Sequence, residues 1–489
     1  MERVFGMKKL CILLAILMLL SSLTACGSDA ATTSSDTNTD VSSQPDVSTS
    51  TTTTTQEDTT TVKNDTTTVD RASLITTKTS TTTTTTKATG FTPALPMTAT
   101  VSESPLSNTY KLLTESKKLT IGYLGGSITL GTSAEKDGGN LSLSWVNRTT
   151  DWFRKQFPDA DITTVNAGVS DTMTSLALYR LETTLMNTNG HAMPDLIFVE
   201  FTSNDWKLEI QGKEELRVQV ESLFRRIWAI NPAAEIVTLI STRNDGNARS
   251  AYIEISNHYG VPVVDAGAAM KAAMTERGHV QENGSTCYYT TDNLHPSWRG
   301  YELYLNECVK TFEKHLLGLT LKSKDLYAYG NHLKKPLCDN LITFPTLIAP
   351  RKLEFLGDAK VINAAITVSM FNTTPTVRQN PAVTPYKQQL SVTGKTNIKA
   401  TFSGSTFGVL MSPSATGFRL RWRIDGGEWK EFMVNKTHSH AFMLYDRPIV
   451  FLLEYDLSAG EHALELQLLP TSDNGDLQMR FGGIAVNGN

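Results

Sequence analysis

The stretch that decides the reading is "GYLGGSITLG", residues 122–131, where a run of β-forming residues from Lys118 to Tyr123 ends in Gly125, Gly126 and Ser127. Helix-forming material follows only after a loop. A serine on a glycine hinge at a strand end is either a turn residue or a hydroxyl held out of the sheet. Outward from it, short apolar runs recur at Leu119–Leu124, Ile162–Asn166, Leu196–Phe201, Ile236–Ile240 and Val261–Val264. Helical patterns separate them. The clearest spans Lys213–Ile230, with Leu216, Val220, Leu223 and Ile227 at helical spacing. Asn231-Pro232 stops it. Nearly continuous apolar strands alternating with amphipathic helices predict a parallel sheet covered on both faces, a three-layer α/β domain. We assign it to residues 99–335.

From about Leu341 the pattern changes to alternating strands and turn residues. "FRLRWRIDGGEWKEF" sets Phe418, Leu420, Trp422 and Ile424 on one face and Arg419, Arg421 and Arg423 on the other, before a turn at Asp425-Gly426-Gly427. The arginine row reads as a solvated or edge-protecting face. Residues 336–489 are therefore expected to form an all-β sandwich of jelly-roll type.

The amino-terminal end reads differently. Met7, Lys8 and Lys9 precede an apolar run from Leu10 to Leu20 that closes on Leu23-Thr24-Ala25-Cys26. This is a secretory signal, short for a membrane-spanning helix. The closing tetrad resembles the lipobox of bacterial lipoproteins. That resemblance implies that residues 1–26 are a signal, that Cys26 carries the lipid, and that the mature protein is anchored on the extracellular face of the cell membrane. Residues 27–98 are dominated by Thr and Ser and carry too little apolar surface to fold. As a flexible tether they would span roughly 50 Å. The formal net charge is −4, from 45 basic and 49 acidic residues with no long basic run, which argues against nucleic acid as a partner. Beyond Cys11 and Cys26, the cysteines Cys287, Cys308 and Cys338 show no CxxC spacing and indicate neither zinc nor a disulfide framework.

In an open α/β sheet, ligands bind beyond the carboxyl ends of the strands, and reactive residue types cluster at those positions here. The second strand ends in Asn166, Ala167 and Gly168, the third in "VEFTSNDW" with Asn204 and Asp205, and the last segment carries Asp292 and His295 before a terminal helix. These blocks resemble the SGNH (GDSL-like) hydrolases, serine esterases on a flavodoxin-like sheet. Their pattern is a serine after the first strand, a glycine after the second, an Asn-Asp pair after the third, and Asp-x-x-His-Pro near the end. The resemblance implies Ser127 as nucleophile, His295 as base, Asp292 as its partner, and Ser127, Gly168 and Asn204 as oxyanion donors. Two departures stand out. The first block reads Gly-Gly-Ser-Ile-Thr, a variant associated with bacterial carbohydrate-directed members, and Thr202 replaces a usual glycine.

The chemistry is coherent in its own right. A serine hydroxyl needs a base to become a nucleophile, and a neutral imidazole suits that task. Asp292, three residues before His295, can reach the other ring nitrogen from the same loop and fix the tautomer. Singly, Ser127 reads as a turn serine, His295 as a loop residue, Asp292 as a cap and Asn204-Asp205 as a strand-ending turn; their joint placement favours a site. Trp206 and Trp298 flank two of the blocks and could stack on a sugar ring or pack in a core. Arg148 and Arg180 read as solvated or structural. Glu200, inside a strand, reads as a buried carboxylate without an assignable partner. His438 and His440 fit an exposed strand better than a metal site.

The expected activity is removal of short acyl groups, acetyl foremost, from carbohydrate, with no metal or organic cofactor. An O-acetyltransferase, a lysophospholipase or thioesterase, and a non-catalytic glycan-binding protein remain open.

Overall fold

The computed structural model describes residues 104–488 apart from 137–140, 187–191, 206–212, 242–246, 279–280, 283–285, 293, 321–333, 369, 374–375, 414–416, 435–446 and 473–474. All lie within one compact unit, Thr83–Asn489. Cys26, the Thr/Ser-rich tether, Trp206, His438 and His440 fall outside the described residues.

Five parallel strands form the central sheet: β1 Lys118–Gly125, β2 Asp161–Gly168, β3 Leu196–Glu200, β4 Glu235–Leu239 and β5 Val263–Val264. β5 is shorter than its apolar run, because the Val261 N–H bonds Ser256 O at the end of the preceding helix and Pro262 has no N–H for a ladder. The strand order is β2-β1-β3-β4-β5. Order reverses between β1 and β3, the switch point at which ligands bind in such sheets. Register places Gly125 beside Gly168 on one side and Glu200 on the other.

Alternate strand residues supply two cores, as the two-residue side-chain period demands. Ile121, Tyr123, Leu196 and Phe198 pack with the helices Trp145–Gln156 and Trp298–His315. Leu124, Val165, Ile197 and Val199 pack with the helices Thr174–Thr184, Lys213–Ile230 and Asn247–Tyr259.

Two-residue strands β6 Gln281–Glu282 and β7 Thr286–Cys287 precede the terminal helix, and the rest is antiparallel. β10 Met370–Thr373 pairs with β11 Thr376–Gln379. The remaining strands are β8 Pro345–Ile348, β9 Glu354–Ile362, β12 Gln389–Ser403, β13 Phe407–Pro413, β14 Phe418–Ile424, β15 Lys430–Val434, β16 Ile449–Glu454, β17 Glu461–Leu469 and β18 Met479–Asn487. They form one curled sheet, β15-β14-β17-β12-β18-β13-β16, with β8 on β18 and β9 on β12. The long β12 joins its two layers: Leu390–Val392 pairs with β18 and Thr396–Ser403 with β17. The layers face each other where Phe418 and Phe432 meet Phe451, ring centroids 5.8 and 5.4 Å apart.

The second α/β core runs on without a break into this antiparallel part. The Lys213–Ile230 helix is consequently buried beyond its apolar stripe. Its Glu221 carboxylate accepts the N–H groups of Leu337 and Cys338 at 2.9 and 2.8 Å, and Gln219 Nε2 donates to Tyr455 Oη at 2.6 Å. Cys308 and Cys338 are buried free thiols.

Candidate active site

Ser127 opens a one-turn helix, Ser127–Leu130, directly after β1. Gly131, at φ 87°, ends that turn in the left-handed region where glycine costs least. The serine is 6 % exposed. Opposite it, Thr290 and Pro296 form an isolated antiparallel bridge, and Thr291 N–H bonds His295 O at 2.9 Å. That bridge closes a tight loop. Within it, Asp292 Oδ1 accepts the N–H groups of His295 and Leu294 at 2.8 and 3.2 Å, leaving Oδ2 2.7 Å from His295 Nδ1. His295 Nε2 lies 2.7 Å from Ser127 Oγ.

Burial alone would raise the Asp292 pKa, but hydrogen bonds from the His295 backbone and ring and from Leu294 outweigh it and hold the carboxyl below its ordinary range. An ionised Asp292 accepts the hydrogen bond of Nδ1–H and so keeps the ring proton on that nitrogen. Nε2 is then free to accept from the serine hydroxyl. From the terminal helix, Tyr301 Oη donates to Ile128 O at 3.2 Å and ties that helix to the Ser127 turn.

Asn204 sits in the short helix Thr202–Asp205 after β3. Its Nδ2 donates one N–H to Thr172 O at 2.7 Å. A Cβ built on Gly126 would come within 2.6 Å of that same Nδ2. The amide therefore lies against the Gly126 backbone, beside Ser127, and the glycine of the first departure fits this arrangement: with Asn204 placed as it is, a side chain at 126 would displace it. The second departure is also accommodated. Thr202 has no positive φ, and its hydroxyl pairs with Ser241 Oγ at 3.0 Å.

Gly168 needs correcting as an oxyanion donor. Its N–H is already donated to Asn166 Oδ1 at 2.9 Å. What the glycine provides is space, since a Cβ there would lie 2.3 Å from Leu130 N in the nucleophile turn. The remaining donors are the Ser127 N–H, which as the first of a helix has no intrahelical acceptor, and the second Asn204 N–H.

Two residues that sequence reading left without a role stand at the centre. Glu200, 1 % exposed, accepts from Thr129 Oγ1 at 2.8 Å and Gly126 N–H at 3.3 Å with Oε2, and from Ser241 Oγ at 2.6 Å with Oε1. Burial pushes its carboxyl up to about 7, against the opposing pull of these hydrogen bonds. Arg180, fully buried rather than solvated, donates to Ala167 O at 2.9 Å, Thr184 Oγ1 at 3.0 Å and Gly125 O at 3.3 Å. Burial lowers its pKa to about 9. Helical spacing could have offered only its i+4 partner Thr184; the other two partners are backbone carbonyls at the ends of β2 and β1. Asp205 is structural: it accepts the Thr174 N–H at 3.0 Å and the Tyr252 hydroxyl at 3.0 Å.

Trp298 begins the terminal helix, with the Arg299 guanidinium 4.4 Å from its ring centre. Arg148 is half-buried on the Trp145–Gln156 helix.

No curated protein matches the chain. Among solved structures, the chain is similar to a two-domain esterase active on acetylated mannans, at 19 % identity and a TM-score of 0.58, over 78 % of this chain and 96 % of that one. The same esterase co-crystallised with mannopentaose matches at the same identity and TM-score, over 95 % of its chain. A family 3 carbohydrate esterase from Clostridium thermocellum is 17 % identical over 40 % of this chain and 96 % of its own, with a TM-score of 0.30. The two-domain likeness shows the fold: an α/β part followed by a curled antiparallel part. Residues 123–303 match the GDSL-like Lipase/Acylhydrolase family, and they contain the whole chain of contacts from Asp292 through His295 to Ser127 together with Gly126, Gly168 and Asn204. Over residues 123–303 the α/β part of this protein is thus similar to the GDSL-like lipase/acylhydrolase family.

Proposed function

We propose that this protein is a cell-surface esterase that removes short acyl groups, acetyl foremost, from carbohydrate through an acyl-enzyme on Ser127. The observation that carries the reading is the unbroken line of contacts Asp292–His295–Ser127, with 2.7 Å at each side-chain step. The hydroxyl proton passes to His295 Nε2 as Ser127 Oγ attacks the ester carbonyl, and Asp292 stabilises the imidazolium that forms. The Ser127 N–H and Asn204 Nδ2 would take the charge that develops on the carbonyl oxygen. As the ester C–O bond breaks, His295 gives that proton to the departing sugar oxygen, which leaves as a hydroxyl. Water, deprotonated by the same nitrogen, releases the acid and restores the serine.

Carbohydrate as the acyl bearer is supported by the similar two-domain esterase, which acts on acetylated mannans, and by a sequence that reads as exported and tethered. Display on the membrane rests on lipidation of Cys26. A Cys26→Ser variant should move from the membrane to the soluble fraction.

The deciding experiment compares hydrolysis of 4-nitrophenyl acetate, butyrate and octanoate by the unmodified protein and by Ser127→Ala. Activity confined to the acetyl ester and abolished by the substitution supports the reading. Preference for octanoate points instead to a lipid-directed enzyme. Activity indifferent to Ser127→Ala removes the proposed nucleophile.

A further inference from the structure

The Gly-Gly-Ser-Ile-Thr block contains more than a nucleophile. Gly125 O and Gly126 N belong to one peptide unit, the last before Ser127. Backbone bonds tie it to its neighbours, Val169 N–H to Gly125 O at 3.0 Å and Gly126 N–H to Glu200 O at 3.2 Å, and two side chains add to them: Arg180 donates to the oxygen at 3.3 Å, and the N–H also lies 3.3 Å from Glu200 Oε2. The neighbouring unit on β2, in register with it, is held the same way: Arg180 donates to Ala167 O at 2.9 Å, and the Gly168 N–H donates to Asn166 Oδ1 at 2.9 Å. One guanidinium thus grips the carbonyls of both strand ends at the switch point.

Glu200 extends the hold in two directions. Through Thr129 Oγ1 it fixes the nucleophile turn. Through Ser241 Oγ, which contacts Thr202 Oγ1 at 3.0 Å and Ser203 Oγ at 2.6 Å, it braces the turn that carries Asn204. Among the described residues Glu200 and Arg180 make no direct ion pair; the peptide lies between them. A buried carboxylate and a buried guanidinium are costly to desolvate, and well-packed apolar residues would serve stability as well or better. What the charges supply is orientation. The Ser127 N–H and the Asn204 amide must be aimed before the oxyanion forms, since donors already in place contribute most.

We infer that Glu200 and Arg180 are positioning residues that clamp the Gly125–Gly126 peptide from opposite ends and so hold both oxyanion donors on target. This inference rests on the esterase reading above.

The test is steady-state hydrolysis of 4-nitrophenyl acetate by the full chain and by Ser127→Ala, Glu200→Gln, Arg180→Lys, the Glu200→Gln/Arg180→Lys double variant and Thr129→Val. Rates are taken per active site, counted by mass-spectrometric titration of Ser127 with a phosphonate. Each single charge variant should lose about 10- to 100-fold in kcat with KM within about twofold, the pattern of an interaction made in the transition state. The double variant should lose little more than the worse single one, because residues acting on one peptide are not additive. Thr129→Val leaves both charges in place and removes only a hydroxyl, so it remains readable if the charge variants fail to fold; it should lose several-fold in kcat. An active parent and a dead Ser127→Ala, with normal per-site kcat in the other variants or with losses that multiply in the double, would overturn this inference alone. An inactive parent would overturn the esterase reading on which it rests.

Discussion

Among the described residues, two histidine–aspartate pairs have nearly the same geometry, one in each part of the fold. In the α/β part, His295 Nδ1 lies 2.7 Å from Asp292 Oδ2, and Asp292 Oδ1 accepts the His295 N–H. In the antiparallel part, His462 Nδ1 lies 2.6 Å from Asp425 Oδ2, and Asp425 Oδ1 accepts the Ala463 N–H at 2.8 Å. The third partner separates them. His295 Nε2 faces a hydroxyl at 2.7 Å, whereas His462 Nε2 faces the Ser458 carbonyl at 2.8 Å. A carbonyl and a carboxylate both accept, so this setting favours a ring that donates from both nitrogens, the imidazolium form. Burial works against that charge, but the hydrogen bonds to Asp425 and Ser458 prevail and raise its pKa above the ordinary value. A serine hydroxyl can donate, which leaves His295 able to act as a base. An aspartate beside a histidine is therefore no sign of a catalytic pair until the far nitrogen's partner is known.

The comparison can be broken most sharply by Asp292→Asn and Asp425→Asn measured side by side. Loss of the Asp292 carboxylate should cost about 100- to 10,000-fold in kcat, because the imidazole loses its tautomer and its counter-charge. Asp425→Asn should leave kcat unchanged. Equal effects from the two would end the distinction. Next in size is Asn204→Ala, which removes one of the two proposed oxyanion donors and should cost about 100- to 1,000-fold in kcat with little change in KM. Gly126→Ala tests the same amide from the other side. Its Cβ would meet Asn204 Nδ2 at 2.6 Å, and a displaced donor should cost about 10- to 100-fold in kcat, since a shift of about 1 Å is enough for such losses.

The smallest effect concerns His462 and stability. A histidine whose folded pKa is raised contributes stability that is fully present below its unfolded pKa, near 6.5, and is lost as pH rises through the folded value. Thermal unfolding of His462→Gln should therefore show a larger deficit against the parent at about pH 5.5 than at about pH 9. A deficit independent of pH would mean that His462 packs as a neutral ring and that the contrast with His295 is weaker than drawn.

Much of the fold was legible because local signals agreed. The five apolar runs became the five strands of the parallel sheet, and the Lys213–Ile230 pattern became a helix with those bounds. The residues of the site were legible for a related reason. Ser127, Asn204 and His295 stand at the ends of separate strands or just before a helix, places that chain order and strand assignment locate without side-chain detail.

Contacts between distant segments were not legible. Glu221 and Gln219 on the Lys213–Ile230 helix lie outside its apolar stripe and are buried because Leu337, Cys338 and Tyr455 close over them, with Tyr259 on Glu221 from the next helix. Arg180 reads as an ordinary helical arginine until the ends of β1 and β2 meet beside it. Gly168 reads as an oxyanion donor until Asn166, two residues earlier, takes its N–H. The sequence by itself determined the order of strands and helices, the apolar stripes that face the sheet, and the reactive side chains at the strand ends, since these follow from local propensity and side-chain period. Only the tertiary structure decided which N–H stays free, which charge grips which peptide, and which histidine faces a hydroxyl. Most of those depend on hydrogen-bond partners far apart in the chain, and even the near one, Asn166 on Gly168, depends on a side-chain orientation set by burial that the local sequence does not record.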